Sequence, residues 1–304
     1  MALGEDLSAI RLHDGHLQLA VGEIAQVTLL AGGGITYAGA LGTHTPDLTA
    51  AAVDTVQRYI TSLTLELHRQ VGTDPGQAVR LHEGNMFRLT APCVSVREET
   101  TIRALDHAAD RFASTGRIEF LDMKGALRPL EEARPWAGTA QETAAALTSI
   151  REALPGFCQA RLLIGGKTRP HSDAWPQGYR GSCPGIVEEA LYAVRAGQPL
   201  YLAGGFGGAT AVLARELGVG ADLPVSEEAL NAVRANRDYR NAVEEIKQHY
   251  DPGLTGLGPA DLERLTRTQR ASEMAGLVVR GLIHHATPRT GSDNGDADEE
   301  GSDG

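Results

Sequence analysis

Apolar residues in this chain fall into short continuous runs and longer helical stripes. The two kinds alternate most regularly between positions 161 and 217. Leu162-Leu163-Ile164 and Pro199-Leu200-Tyr201-Leu202 each run into a Gly-Gly pair, the length and boundary expected of buried strands. Beyond the first pair a polar loop leads to Pro184-Gly185-Ile186-Val187-Glu188-Glu189-Ala190, which predicts a helix start. Proline in a first turn loses no hydrogen bond, and glutamates there suit the positive end of the helix dipole. Beyond the second pair, Gly207-Gly208-Ala209-Thr210 opens another helix, which closes at Gly218. Strand, glycine loop and helix, twice over, make a βαβα unit. Its loops lie at the carboxyl ends of parallel strands, where open α/β sheets bind ligands.

The rest of the pattern fits around that unit. Residues 1–16 predict an irregular arm. Leu17, Leu19, Val21, Ile24, Val27 and Leu30 predict a first helix, stopped by Gly32-Gly33-Gly34. Residues 35–38 predict a short strand and residues 45–59 a helix with one apolar stripe. Gly72 to Gly76 forms a turn cluster, and Val79-Arg80-Leu81 predicts a strand. Ile102, Leu105, Ala108, Ala109 and Phe112 sit at helical spacing, residues 118–121 alternate like a strand, and residues 142–154 predict a helix ended by Pro155-Gly156. Past Gly218, helices are expected from the Ser226-Glu227-Glu228 cap, over 241–250 and 262–270, and over 273–285, whose Met274, Leu277, Val278, Leu282 and Ile283 should dock on the body. The prediction is an α/β fold, a Rossmann-like parallel sheet with helices on both faces. One domain spans 17–286, and residues 287–304 form a disordered acidic tail.

Bulk properties narrow the function. The chain has 304 residues, 42% of them hydrophobic, enough for one large α/β domain. Its formal net charge is −11, of which six acids fall in Gly291 to Gly304. That balance argues against sequence-independent nucleic-acid binding, which needs basic surface. It leaves room for a small anion held by backbone donors. Cys93, Cys158 and Cys183 are dispersed, which points to a reduced, cytoplasmic setting. A basic start followed by an apolar run is not seen in Met1 to Ala20, and no stretch looks long and apolar enough to span a membrane.

Candidate chemistry centres on the glycines. Gly165, Gly166, Gly204, Gly205, Gly207 and Gly208 lack Cβ atoms and leave N–H groups able to face a phosphate; the alternative is that they only make tight strand-to-helix turns. Lys167 suits phosphate charge or is an ordinary surface lysine, and Thr210 meets a ligand or caps its helix. Residues 167–183, with Trp175, Tyr179 and Arg180, form a long polar loop that is either a surface insertion or a lid. Cys183, just before a helix start, is placed where a thiol pKa can fall. His82 follows a predicted strand and serves a ligand or solvent. The histidines show no metal-ligand spacing, and no G-x-S-x-G is present, so neither a metal nor a serine hydrolase is expected.

Gly165-Gly166-Lys167, then PGIVEEAL from Pro184, then GQPLYLAGGFGGA from Gly197 resemble the SLOG superfamily, with its Smf/DprA-like, LOG-like and TRPM-like members. They are most similar to prokaryotic SLOG domains found beside TIR domains in anti-phage systems. The likeness runs from about Leu17 to His285, strongest in the middle. It implies that the site takes Gly39, Gly165, Gly166, Lys167, Pro184, Gly185, Glu188, Glu189, Gly204, Gly205, Phe206, Gly207, Gly208 and Thr210 to a ligand. SLOG strands matching residues 35–40 commonly end Tyr-Gly-Gly-Asp; here Tyr37-Ala38-Gly39-Ala40 lacks the acid. The loop at 167–183 is longer than in similar sequences. By resemblance the chain is a sensor of a nucleotide or NAD-derived signal, such as a cyclic ADP-ribose isomer. It would need no other cofactor, and would act through self-association as a homo-oligomer or through a separate TIR-like effector chain. The alternative that the resemblance implies is a LOG-type nucleotide N-glycosidase. Its Pro-Gly-Gly-x-Gly-Thr-x-x-Glu hallmark is contracted here to Pro184–Glu189, which would make Glu188, Glu189 and Arg180 its catalytic candidates.

Overall fold

The computed structural model of this protein describes residues 10–12, 14–31, 33–37, 87–96, 98–112, 116–176 and 178–286. Gly39, the helix expected over 45–59, the turn at 72–76, the strand at 79–81, His82 and the acidic tail lie outside the described residues. Elements are numbered here as they occur among the described ones.

The βαβα unit forms as its apolar pattern predicts. Strands β5 (Arg161–Ile164) and β6 (Leu200–Ala203) pair in parallel, with Leu163 opposite Leu202 and Ile164 opposite Ala203. Helices α4 (Gly185–Arg195) and α5 (Gly208–Glu216) follow them. All four β6 residues are buried, as a strand covered on both faces must be. Its side chains divide by parity. Leu200 and Leu202 enter a core with Val187, Leu191, Val194 and Val212, and with Leu230, Val233, Val243 and Ile246 of α6 (Glu227–Arg234) and α7 (Arg237–His249). Tyr201 and Ala203 enter the opposite core, built with Phe206, Leu262 and Leu265 of α8 (Pro259–Arg267), and Met274, Leu277 and Val278 of α9 (Ala271–Ala286). Ile283, expected to dock with them, is instead 53% exposed in the last turn of that helix. Leu17 and Ala20 of α1 (Asp14–Leu30) join this second core, and α1 packs along α9.

A second group of strands orders as β1 (Ile35–Tyr37), β2 (Phe87–Pro92), β3 (Gly116–Leu121) and β4 (Leu127–Arg128). β1, β2 and β3 run parallel, with α2 (Glu99–Phe112) crossing between β2 and β3; β4 turns back antiparallel. Asp122 makes that reversal by accepting from the Lys124 and Ala126 N–H groups at 2.9 and 3.0 Å. Strand β2 is an addition to the elements that the pattern predicts, although Phe87, Leu89 and Ala91 alternate with Arg88 and Thr90. Its pairing on both edges, with β1 and β3, is what fixes it. The core beneath holds Val94, Val96, Ile102, Leu105, Ile118, Phe120 and Leu121, with Ala146 and Ile150 from α3 (Ala140–Ala153). Helix α3 opens on a capping box: Thr139 accepts from the Glu142 N–H while the Glu142 carboxylate accepts from the Thr139 N–H, an arrangement that stabilises a helix by about 1 kcal/mol. It then packs on α4, so it links the two groups of strands. Among the described residues, no helix is long and apolar enough to cross a membrane.

Candidate functional site

The two glycine loops meet. β5 and β6 are adjacent and parallel, so Gly165-Gly166 and Gly204 to Gly208 leave the sheet side by side. Gly165, Gly166, Gly207 and Gly208 have φ of +65, +94, +70 and +64°, a region that favours glycine. Space imposes a second demand. A Cβ on Gly208 would run into the Gly166 carbonyl oxygen, and one on Gly166 into Ile186. Glycine is therefore required here for the close approach of two backbones as well as for turning.

That approach occupies donors next to the second loop. The N–H groups of Ala209 and Thr210, at the amino end of α5, donate to the carbonyls of Gly166 and Gly165 at 3.1 and 2.8 Å. Gly204 and Gly205 lie under the end of α8, where added side chains would strike the Thr266, Arg267 and Thr268 carbonyls; the Gln269 amide also donates to the Gly205 carbonyl at 3.0 Å. Every residue from Gly204 to Thr210, Phe206 included, is buried. One group is left over: the Thr210 hydroxyl is buried without a hydrogen-bond partner among the described residues. It does not cap its helix, whose N-cap is Gly207. A buried unpaired hydroxyl costs about 1–3 kcal/mol, which marks a position that a ligand atom can satisfy.

Beside these loops, the amino end of α4 carries the charged part of the site. Pro184 is its N-cap and no side chain caps it. The two glutamates diverge. Glu188 turns inward and is 4% exposed. It pairs with Arg151 of α3 and accepts hydroxyl hydrogen bonds from Thr148 at 3.0 Å and Ser182 at 2.9 Å. Glu189 points elsewhere, 3.7 Å from Arg161 at the start of β5, so the structure separates it from the glycine loops by the length of that strand. Gly181 and Gly185 make room for Arg151, since a Cβ on either would collide with its guanidinium. Sequence reasoning misses Arg151. Nothing in its spacing announces it, lying 37 positions before Glu188. Arg180, the arginine singled out there, sits half-buried between Tyr179 and Gly181.

Lys167 lies at the root of the loop. The residue as a whole keeps solvent access, yet its ammonium donates to the Gly178 carbonyl at 3.3 Å. Loss of solvation pushes its pKa down, and the charge of nearby Arg151 adds to the effect. Lys167 and Arg151 are thus two neighbouring cations, and Glu188 answers one of them. The Cys183 thiol moves opposite to the expectation for a helix start: burial, reinforced by the Glu188 charge, pushes it up to about 12. Among the described residues, no group of three or more His, Cys, Asp and Glu side chains could hold a metal ion.

The described residues of the 167–183 loop, 167–176 and 178–183, have structure of their own. The His171 N–H donates to the Tyr179 carbonyl at 2.8 Å, and the Tyr179 N–H to the Arg169 carbonyl at 2.9 Å. The Arg169 guanidinium stacks 3.8 Å from the centre of the Trp175 ring and pairs with Glu228 of α6 at 2.8 Å. Tyr179 is buried, and its hydroxyl accepts from Asn236 at 3.0 Å. Asn236 also donates to the Ser182 carbonyl at 2.7 Å while its side-chain oxygen caps α7.

A family model described as SLOG cluster2 matches residues 3–282. No curated protein and no solved structure gives a match.

Proposed function

The chain belongs to the SLOG family, cluster2, and from that premise we propose that it binds a nucleotide or NAD-derived signalling molecule, cyclic ADP-ribose-like, as a sensor in bacterial defence. The observation that carries this reading is the contact between Gly165-Gly166 and Gly207-Gly208 at the carboxyl ends of β5 and β6, with the Thr210 hydroxyl buried beside it and unpaired. Ligands of open α/β sheets sit at such strand ends. Lys167 supplies phosphate charge, and Glu188, on the Arg151 side, suits a ribose hydroxyl. Output then passes to a separate effector chain, TIR-like or other, or through self-association, in the cytoplasm.

Ligand binding to the native state alone raises stability, so ADP-ribose and related nucleotides should raise the melting temperature without forming product. Thr210→Val tests the site directly. It removes a hydroxyl that has no partner among the described residues, so the free protein should be as stable or more so, while the stabilisation by ADP-ribose should shrink. Unaltered stabilisation by ligand in that variant would refute the placement. Mass spectrometry of small molecules released by heating the purified protein identifies the ligand class independently.

The buried Arg151–Glu188 pair favours one second reading, a LOG-type N-glycosidase acting on nucleoside monophosphates, with Glu188 steadying a cationic transition state. Release of free base from AMP, lost in Glu188→Gln, would support it. Both Glu188 oxygens already hold protein partners, so either use of Glu188 displaces or shares one of them.

A further inference from the structure

We infer that residues 167–183 are an autoinhibitory strap whose own polar atoms occupy the groups a nucleotide would use. This rests on the sensor reading of the site. The Gly178 carbonyl sits on the Lys167 ammonium, where a phosphate oxygen would go, and the Ser182 hydroxyl donates to Glu188, as a ribose hydroxyl would. Both stand-ins belong to the strap. At its root, Gly165 and Gly166 direct their carbonyls at the first N–H groups of α5, closing the donors nearest Thr210. With Gly204 to Thr210 all buried, a ligand reaches the second loop only after a rearrangement.

The strap is built to move as a unit. Internal hydrogen bonds between Arg169, His171 and Tyr179, and between Ser172 and Trp175, hold its two arms together. Its ends carry glycine, Gly165-Gly166 at positive φ on one side and Gly181 and Gly185 on the other. Side-chain latches fasten it to the body: Asn236 to the Tyr179 hydroxyl and the Ser182 carbonyl, and Arg169 to Glu228. Swinging out about the glycines frees Lys167, one acceptor position on the Glu188 oxygen that Thr148 also holds, and the α5 amides together. When the competent state is a minor one, the apparent dissociation constant exceeds the intrinsic one by the inverse of its population. Weakening a latch therefore tightens binding even though the latch never touches ligand.

Tyr179→Phe is the test, because it deletes one hydroxyl at the latch. Losing one such hydrogen bond should shift the opening equilibrium about two- to tenfold. Amide exchange at His171 and Tyr179 should quicken by that factor, with β5 and β6 unchanged. Acylation of Lys167 by an N-hydroxysuccinimide ester should rise equally, relative to Lys124 and Lys247. ADP-ribose should bind tighter by the same factor. Glu228→Gln should act in the same direction, more weakly. Unchanged exchange in both variants overturns the latch. Faster exchange with unchanged Lys167 reactivity overturns the occlusion, and faster exchange with equal or weaker ADP-ribose binding overturns the autoinhibition. Failure of ADP-ribose to bind either form counts against the sensor reading, while exchange and acylation still decide the strap.

Discussion

Replacing Arg151 with methionine is the sharpest test of how the site is built. The Arg151 side chain is 13% exposed and that of Glu188 5%, so the pair is shielded from water on both sides. Methionine keeps much of the arginine stem's volume and removes the charge. Glu188 then retains the Thr148 and Ser182 hydroxyls, two neutral donors, for a buried carboxylate. Removing one partner of a buried pair costs about 3–5 kcal/mol, because the other charge is left uncompensated. The two remaining hydrogen bonds put the expectation at the lower end, about 3 kcal/mol. For a chain of this size that is a fall of about 5–10 °C in melting temperature. Glu188→Gln should cost less, since Arg151 is the more solvated member. The double variant should be less destabilised than the sum of the two, by about 2 kcal/mol. The assay is thermal denaturation of the three variants beside the parent, supported by denaturant titration. A cost below about 1 kcal/mol for Arg151→Met, or strict additivity in the double variant, would show that the pair behaves as a solvated surface contact and would refute the reasoning.

Further outcomes follow from the same geometry. Gly208→Ala should destabilise by more than about 1–3 kcal/mol, because φ is +64° and the new methyl meets the Gly166 carbonyl. Gly156→Ala, where nothing lies within 4 Å, should be neutral or gain up to about 1 kcal/mol in thermal denaturation. Asn236→Ala removes the α7 cap and both strap contacts, so it should lower stability more than the cap-only Ser226→Ala, itself costing about 1 kcal/mol. Alkaline pH should unfold the protein. Burial pushes Tyr201, Tyr250 and Cys183 up to about 12 from ordinary values of 10.0 and 9.0, and moves Tyr239 in the same direction. The unfolded chain therefore binds fewer protons above pH 9, and stability falls with rising pH, by about 1.4 kcal/mol per unit for each group. The phenolate absorbance of Tyr201, Tyr239 and Tyr250, read as the part lost in their Phe variants, should then appear together with loss of circular dichroism; its appearance in the folded state would disprove that burial.

Much of the fold can be read in the chain because its signals are local. Apolar runs of strand length ending in glycine fix β5 and β6, and helical stripes fix α2, α3 and α9, whatever they pack against. The docking of Met274, Leu277 and Val278 follows from the stripe they form. The adjacency of the two glycine loops is likewise implicit in a βαβα order. Strand β2 escaped because a short alternation with a proline at its end gains its identity from partners on both edges. The site's inner wiring escaped for a deeper reason. Sequence shows that Glu188 and Glu189 are neighbours, and tertiary packing sends one to Arg151 and the other to Arg161. Sequence shows a cysteine at a helix start, and burial reverses the direction of its pKa. Sequence shows glycines with bare amides, and the fold gives two of the neighbouring amides to carbonyls of the facing loop. The pattern of apolar and glycine positions determined where a site could be. Which charges are buried, paired or covered depends on groups brought together across the fold, and only the tertiary structure decided that.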